Sequence, residues 1–249
     1  MSRPLSVNVY VLFLHYFGGS AKTWDAVINA LPGRDTIAIT QRGWGESARL
    51  GGPYGLHQFA DDVEAILEQL DLSQVVLVGH SMGGKVAQIV AGRGTATLTG
   101  LILVAPAPPV PPQHVPSQYR QQISHAYDNA ESIRYARDHV LTYRQLPDDL
   151  AAQVLADSAA SADDAGRLYW PVQGIAEDIS AYAHRIAVPT LVVAGEHDQV
   201  EPPHVLVENL LPHIPTATMM TIPDVGHLIP VESPAELAAA IASHPSPAR

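Results

Sequence analysis

The sequence predicts an α/β protein with a mostly parallel, doubly wound sheet, because short apolar runs without polar alternation alternate along the chain with amphipathic segments. The runs are Val7 to Leu14, Thr36 to Thr40, Val75 to Val78, Leu98 to Val104, Thr190 to Ala194 and Thr218 to Ile222. A strand with one wet face would show every second residue polar, so these runs suit strands covered on both faces. Trp24, Val27, Ile28 and Leu31, then Phe59, Val63, Ile66, Leu67 and Leu70, recur at spacings of three and four, the pattern of helices with one buried side.

This alternation holds from residue 7 to residue 105 and resumes from residue 187 to residue 243. Between them, Ala105 to Pro112 reads Ala-Pro-Ala-Pro-Pro-Val-Pro-Pro, and prolines continue neither a ladder nor a helix. The stretch from His114 to Ile186 has helical composition and no strand run, so it is expected to form a helical cap. The expected organisation is a core domain of residues 1–106 and 187–249 with a cap inserted at 107–186. The tail from His244 to Arg249 is expected to fray. No internal repeat is visible.

A chain of 249 residues suits one domain of this class, and 47% apolar against 16% charged residues marks a folded globule rather than a disordered one. Fourteen Lys and Arg against 25 Asp and Glu give a formal net charge of −11, which repels phosphate backbones and anionic membranes. Neither nucleic acid nor a membrane is therefore an expected partner, and the acidity reads first as a solvated surface. The absence of cysteine excludes disulfides, thiolate metal sites and a cysteine nucleophile. The run Val9 to Leu14 is too short for a membrane span and lacks a signal peptide's basic lead and cleavage site, so a cytoplasmic protein is expected.

The chemistry enters at Gly79-His80-Ser81-Met82-Gly83-Gly84, directly after the run Val75 to Val78 and before an amphipathic segment through Val86, Ile89 and Val90. G-x-S-x-G at a strand-to-helix turn lifts the serine above the sheet, with glycines allowing close backbone approach. A serine hydroxyl needs a base, and the base needs an orienting acid. Thr190 to Ala194 leads into Gly195-Glu196-His197-Asp198, which puts an acid at a strand's carboxyl end, where open α/β sheets collect ligands. Asp198 is preferred as the acid, with Glu196 read as a surface turn residue. Pro223-Asp224-Val225-Gly226-His227 then supplies His227 as base, completing the order Ser, Asp, His expected for a nucleophile elbow.

A tetrahedral intermediate needs N–H donors aimed at its oxyanion. Met82 supplies one at the helix start, and Phe17 is expected to supply the other, from His15-Tyr16-Phe17-Gly18-Gly19-Ser20, with Ser20 as helix cap. Six of the nine tyrosines, Tyr119, Tyr127, Tyr135, Tyr143, Tyr169 and Tyr182, fall in the expected cap beside Trp170. Cap packing accounts for any one of them, but Tyr16, Tyr119, Tyr127 and Trp170 are kept as candidate pocket residues. His15 and His80 are read as structural neighbours of the site. No His, Asp and Glu cluster has convincing metal spacing, and no phosphate-binding glycine loop is present, so neither metal nor cofactor is expected.

With these residues in place, the chain resembles the α/β-hydrolase superfamily over nearly its whole length. Val78 to Ala87 is similar to the elbow of small bacterial carboxylesterases and cofactor-free haloperoxidase-like enzymes, and Arg42-Gly43-Trp44-Gly45-Glu46-Ser47 resembles the family's R-G-x-G-x-S turn. The resemblance implies an eight-stranded sheet, a helical cap and hydrolysis without a cofactor. Two departures stand out. His15-Tyr16 replaces the usual His-Gly of the oxyanion loop, and only residues 1–6 precede Val7, where the family places an antiparallel hairpin.

The expected function is hydrolysis of a small-molecule ester through an acyl-enzyme, the rate rising with pH as the base loses its proton. Carbon-carbon bond hydrolysis of a vinylogous diketone is the nearest rival, and His80 stands where those relatives often carry Asn. Lactone hydrolysis and perhydrolysis use the same machinery. Dehalogenases and epoxide hydrolases of this architecture use an Asp nucleophile and are set aside. A non-catalytic small-ligand receptor is the rival of a different class, discriminated by turnover. Acyl length, alcohol and oligomeric state are not legible.

Overall fold

A computed structural model describes residues 9–31, 33–111, 115–161 and 163–245. Its core is a six-stranded sheet of β1 (Tyr10–Leu14), β2 (Asp35–Ile39), β3 (Val75–His80), β4 (Leu98–Val104), β5 (Thr190–Gly195) and β6 (Ala217–Ile222), in the order β2-β1-β3-β4-β5-β6. Every pair of neighbours is parallel. Each strand lies on one of the six apolar runs. The eight strands implied by family resemblance are six among the described residues, and the expected beginning of the first strand at Val7 and the question of a hairpin fall outside them. Of the expected frayed tail, residues 246–249 are likewise outside the described residues, while His244 packs against Gly100.

Period-two side-chain alternation divides the strands between two cores. Leu12, Leu14, Leu77, Leu101, Leu103 and Val192 face one layer, containing α2 (Leu56–Gln69) and α3 (Met82–Gly92). Val11, Phe13, Val76, Val78, Ile102 and Val193 face the other, where Trp24 and Val27 of the first helical segment meet Leu237 and Ile241. That first segment is a tight turn at Ala21–Trp24 continued by α1 (Asp25–Asn29), and Ser20 caps it by accepting the Lys22 N–H. The four central strands β1, β3, β4 and β5 are dry on both faces, which is why they read as unbroken apolar runs, whereas the edge strands β2 and β6 are partly exposed, against the expectation of cover on both faces.

Between β4 and β5 the chain forms α4 (Ser117–Ser124), α5 (Ala130–Ala136), α6 (Asp148–Ala159), α7 (Asp164–Val172) and α8 (Ser180–Ala183), with one π-helical turn at Arg137–Leu141 following α5. After β5 come α9 (Pro203–Asn209), α10 (Ile229–Glu232) and α11 (Pro234–Ser243). The Arg42 turn is structural: Arg42 binds both Asp62 oxygens on α2, at 2.8 and 2.7 Å, and donates to Gly51 O. No helix among the described residues is long and apolar enough to cross a membrane.

Gly92 closes α3 against α8, and a Cβ there would collide with the Tyr182 carbonyl. Helix propensity alone favours Ala over Gly by about 1 kcal/mol. Because the obstacle is backbone, Gly92→Ala is expected to destabilise by ~1–3 kcal/mol in urea denaturation, against the propensity.

Candidate active site

Ser81 stands between β3 and α3 with φ 54° and ψ −114°, left-handed backbone that a residue with a Cβ holds only at a cost of ~1–3 kcal/mol. Its surroundings enforce that geometry. The Ser81 N–H donates to Val104 O at 3.0 Å, and Ser81 O accepts from Lys85 N at 3.1 Å and Ala107 N at 3.3 Å. A Cβ on Gly79 would strike Gly83 O, and one on Gly83 would lie 2.7 Å from Leu14 O. Both glycines are therefore required by contact with backbone, and the helix packs close enough to β1 and β3 to hold the turn.

Asp198 and His227 meet across the ends of β5 and β6. His227 Nδ1 and Asp198 Oδ2 lie 2.8 Å apart, both residues buried. The other carboxylate oxygen, Oδ1, accepts the N–H groups of Val200 at 2.8 Å and Glu201 at 2.9 Å, so the acid is locked in one orientation. With Nδ1 engaged by the carboxylate, Nε2 is the nitrogen left for chemistry. Ser81 and His227 line one cavity. Glu196 turns outward instead, accepting the Asp224 N–H at 3.1 Å, and His197 stacks on Tyr143. Glu196, His197 and Asp224 bring ligand-type atoms within 4.8 Å of one another in a wetted turn.

His80 and His15 both act on this frame. His80 Nε2–H donates to His227 O at 2.8 Å, so the residue preceding the elbow serine supports the histidine loop. Burial and the neighbouring His227 hold the His80 pKa well below the usual range, which keeps it neutral. His15 Nε2 accepts the Gln41 N–H at 2.9 Å while Nδ1–H donates to Tyr16 O at 2.7 Å, tying β2 to the loop after β1. Burial lowers the His15 pKa to about 4.

The loop after β1 carries Phe17, and Met82 opens α3, where its N–H has no intrahelical acceptor. Tyr127 donates to Phe17 O at 2.8 Å and stacks on the Phe17 ring, while Ser158 donates to Gly18 O at 3.0 Å. Helical residues from between β4 and β5 thus hold the loop. Gly18, at φ 92°, passes directly beneath the Tyr127 ring. Tyr16, where the family usually has glycine, is buried with its ring 5.2 Å from that of His80.

The cavity holds about 770 Å³, the size of a small organic ligand's site. Tyr16, Tyr119, Tyr127 and Trp170 line it, as do Phe17, Ser81 and His227. Tyr135 also lines it and is largely exposed. Tyr143, Tyr169 and Tyr182 do not line it; Tyr169 instead receives the Leu56 N–H at 2.7 Å.

Four residues around the site were given no role from the sequence. Glu232 Oε1 accepts the N–H groups of Tyr143 and Arg144, both at 2.8 Å, and Oε2 accepts that of Gly226 at 3.0 Å. Leu141 O, ending the π turn, accepts from His227 N at 2.8 Å and Leu228 N at 2.9 Å. The histidine loop is therefore clamped to the helical segment by backbone bonds, and only the spacing of Glu232 five residues after His227 offers a local signal. Glu201 lines the cavity, and Lys85 is buried behind it; neither is marked by a motif.

The sequence profile of the alpha/beta hydrolase fold family matches residues 9–234, and the chain belongs to that family. It is an enzyme of the α/β-hydrolase type. Among its relatives is a non-heme haloperoxidase of Rhodococcus erythropolis, 26% identical over 232 residues, covering 87% of this chain and 85% of that protein. A thermophilic esterase from Thermogutta terrifontis is 26% identical, with TM-score 0.76 over 94% of this chain and 88% of that one. An esterase from Exiguobacterium antarcticum, 22% identical, shares the fold with TM-score 0.84 over 95% and 91% of the two chains.

Two stability measurements follow from the buried groups. An unfolded histidine titrates near 6.5 and His15 in the fold near 4, so the unfolded state binds the extra proton between those values and stability falls as pH drops through that window. The contribution is about 3 kcal/mol, and His15→Gln is expected to flatten that part of the stability-versus-pH curve. Glu232→Ala leaves three N–H donors without their acceptor and is expected to cost about 3 kcal/mol in denaturant unfolding, with Glu232→Gln costing less.

Proposed function

We propose that the protein hydrolyses a small-molecule carboxylic ester by a Ser81-His227-Asp198 triad through an acyl-enzyme. The observation that carries the reading is the strained Ser81 turn opening on the same cavity as a buried His227 whose Nδ1 is held 2.8 Å from Asp198. In this reading His227 Nε2 takes the Ser81 proton as Oγ attacks the carbonyl and then returns it to the leaving alcohol. Water activated by the same histidine releases the acid. Asp198 orients the ring and stabilises the imidazolium without itself taking the proton.

The Phe17 and Met82 N–H groups form the proposed oxyanion hole, Met82 aided by the dipole of α3. Tyr16 fills the place of the family's usual glycine, and Tyr127 and Ser158 hold the adjoining carbonyls of Phe17 and Gly18. We assign residues 1–106 and 187–249 to the core domain and 107–186 to a cap whose Tyr119, Tyr127 and Trp170 shape the substrate cavity. Esterase relatives with similar sequence and fold support ester chemistry, and no step of it calls for a cofactor.

Initial rates on p-nitrophenyl esters of increasing acyl length test the reading. Ser81→Ala is expected to lower kcat/KM on the order of 10⁴-fold or more, and Asp198→Asn by a comparable factor through the wrong histidine tautomer. Turnover of lactones or vinylogous diketones without turnover of esters rejects the ester assignment, and ligand binding without any turnover favours a receptor.

A further inference from the structure

Beyond Ser81, the cavity contains an acidic group that the proposed hydrolysis does not use. Glu201 follows Asp198 by three residues in the turn after β5, and its N–H donates to Asp198 Oδ1 at 2.9 Å, which fixes the backbone there. The residue is 6% exposed and lines the cavity, yet among the described residues its carboxyl makes no hydrogen bond or ion pair. Buried polar groups without partners are rare and costly, so a carboxyl left open toward a cavity marks a position where something else supplies the partner.

The surrounding wall decides the sign of that partner. Tyr119 and Trp170 line the cavity with Glu201, and the rings' electron-rich faces attract cations. The second carboxylate on the lining is Glu131, and no Lys or Arg lines it among the described residues. Lys85 is buried behind the wall, donating to Ile175 O at 3.2 Å with Nζ 6.0 Å from the Trp170 ring centre; its charge acts on Glu201 without an ion-pair contact, and it sits outside the lining. Burial and the nearby Asp198 push the Glu201 carboxyl well above the usual carboxylate range, the buried Lys85 opposes that shift from behind the wall, and a positive charge entering the cavity would oppose it further. A formal net charge of −11 favours the approach of such a cation.

We propose that Glu201 anchors an organic cation in this cavity, so that the ester cleaved at Ser81 carries an ammonium group on the arm directed away from the scissile bond. The substrate half of this assignment rests on the esterase reading; the cation site itself stands on Glu201 and its aromatic wall. Glu201 is then the residue that determines specificity for charge.

The test uses two p-nitrophenyl esters of matched shape, that of γ-trimethylammoniobutyric acid and its isostere in which tert-butyl replaces trimethylammonium. The wild type is expected to favour the cationic ester by at least about tenfold in kcat/KM, mostly through KM, and Glu201→Gln to remove that preference. Equal rates on the two esters in the wild type, or an equal loss on both in the variant, overturn the proposal. Thermal unfolding of Glu201→Gln checks that the fold persists. If the wild type cleaves neither ester, the esterase reading fails, and calorimetric titration with phenyltrimethylammonium decides the cation site alone. Saturable binding that Glu201→Gln abolishes sustains the site, and absence of binding to the wild type overturns it.

Discussion

The turn at Ser81 is a constraint on which the remainder of the molecule depends. A serine at φ 54° is held by backbone bonds to Val104, Lys85 and Ala107, and by glycines whose hydrogens are the largest substituents that fit. Strand β3 must end, helix α3 must begin and β1 must pass close beneath, all within a few residues. The sheet order β2-β1-β3-β4-β5-β6 supplies these neighbours by placing β3 between β1 and β4. Local strain of a few kcal/mol persists because two dry cores fix the strands on either side.

The histidine loop depends on the same architecture in a different way. Gly226 and His227 follow β6, but their bonds run to Leu141 O, Glu232 and the ring of His80. The helices between β4 and β5 therefore do more than cover the sheet. They support the loop after β1 through Tyr127 and Ser158, and the histidine loop through the π turn, so loss of their packing would reach both ends of the site. Placing a cavity where these supports converge is consistent with binding that depends on a well-ordered segment.

The apolar runs made all six strands legible, most directly the four central ones, since a strand buried on both faces carries its environment in its composition. Ser81, Asp198 and His227 were legible as candidates because a glycine-flanked turn and two strand ends impose local signatures. Glu201 and Glu232 were not. A buried glutamate has the same one-dimensional appearance as a solvated one, and the Tyr143 and Arg144 N–H groups that meet Glu232, like the Tyr119 and Trp170 that share the cavity wall with Glu201, come from distant parts of the chain. Glu196 shows the converse: beside Asp198 in sequence and of the same chemistry, it is separated from it by the direction in which the turn faces.

The sequence by itself determined the α/β class, the order of its elements and the residue types available for nucleophilic chemistry, because these depend on local periodicity and on turns that need glycine. Only the tertiary structure decided which carboxylate meets His227, which helical residues hold the loop after β1, and which acidic group faces the cavity. Those outcomes depend on contacts between segments far apart in the chain, and their energies come from burial and hydrogen bonds that exist only once the sheet and helices have packed.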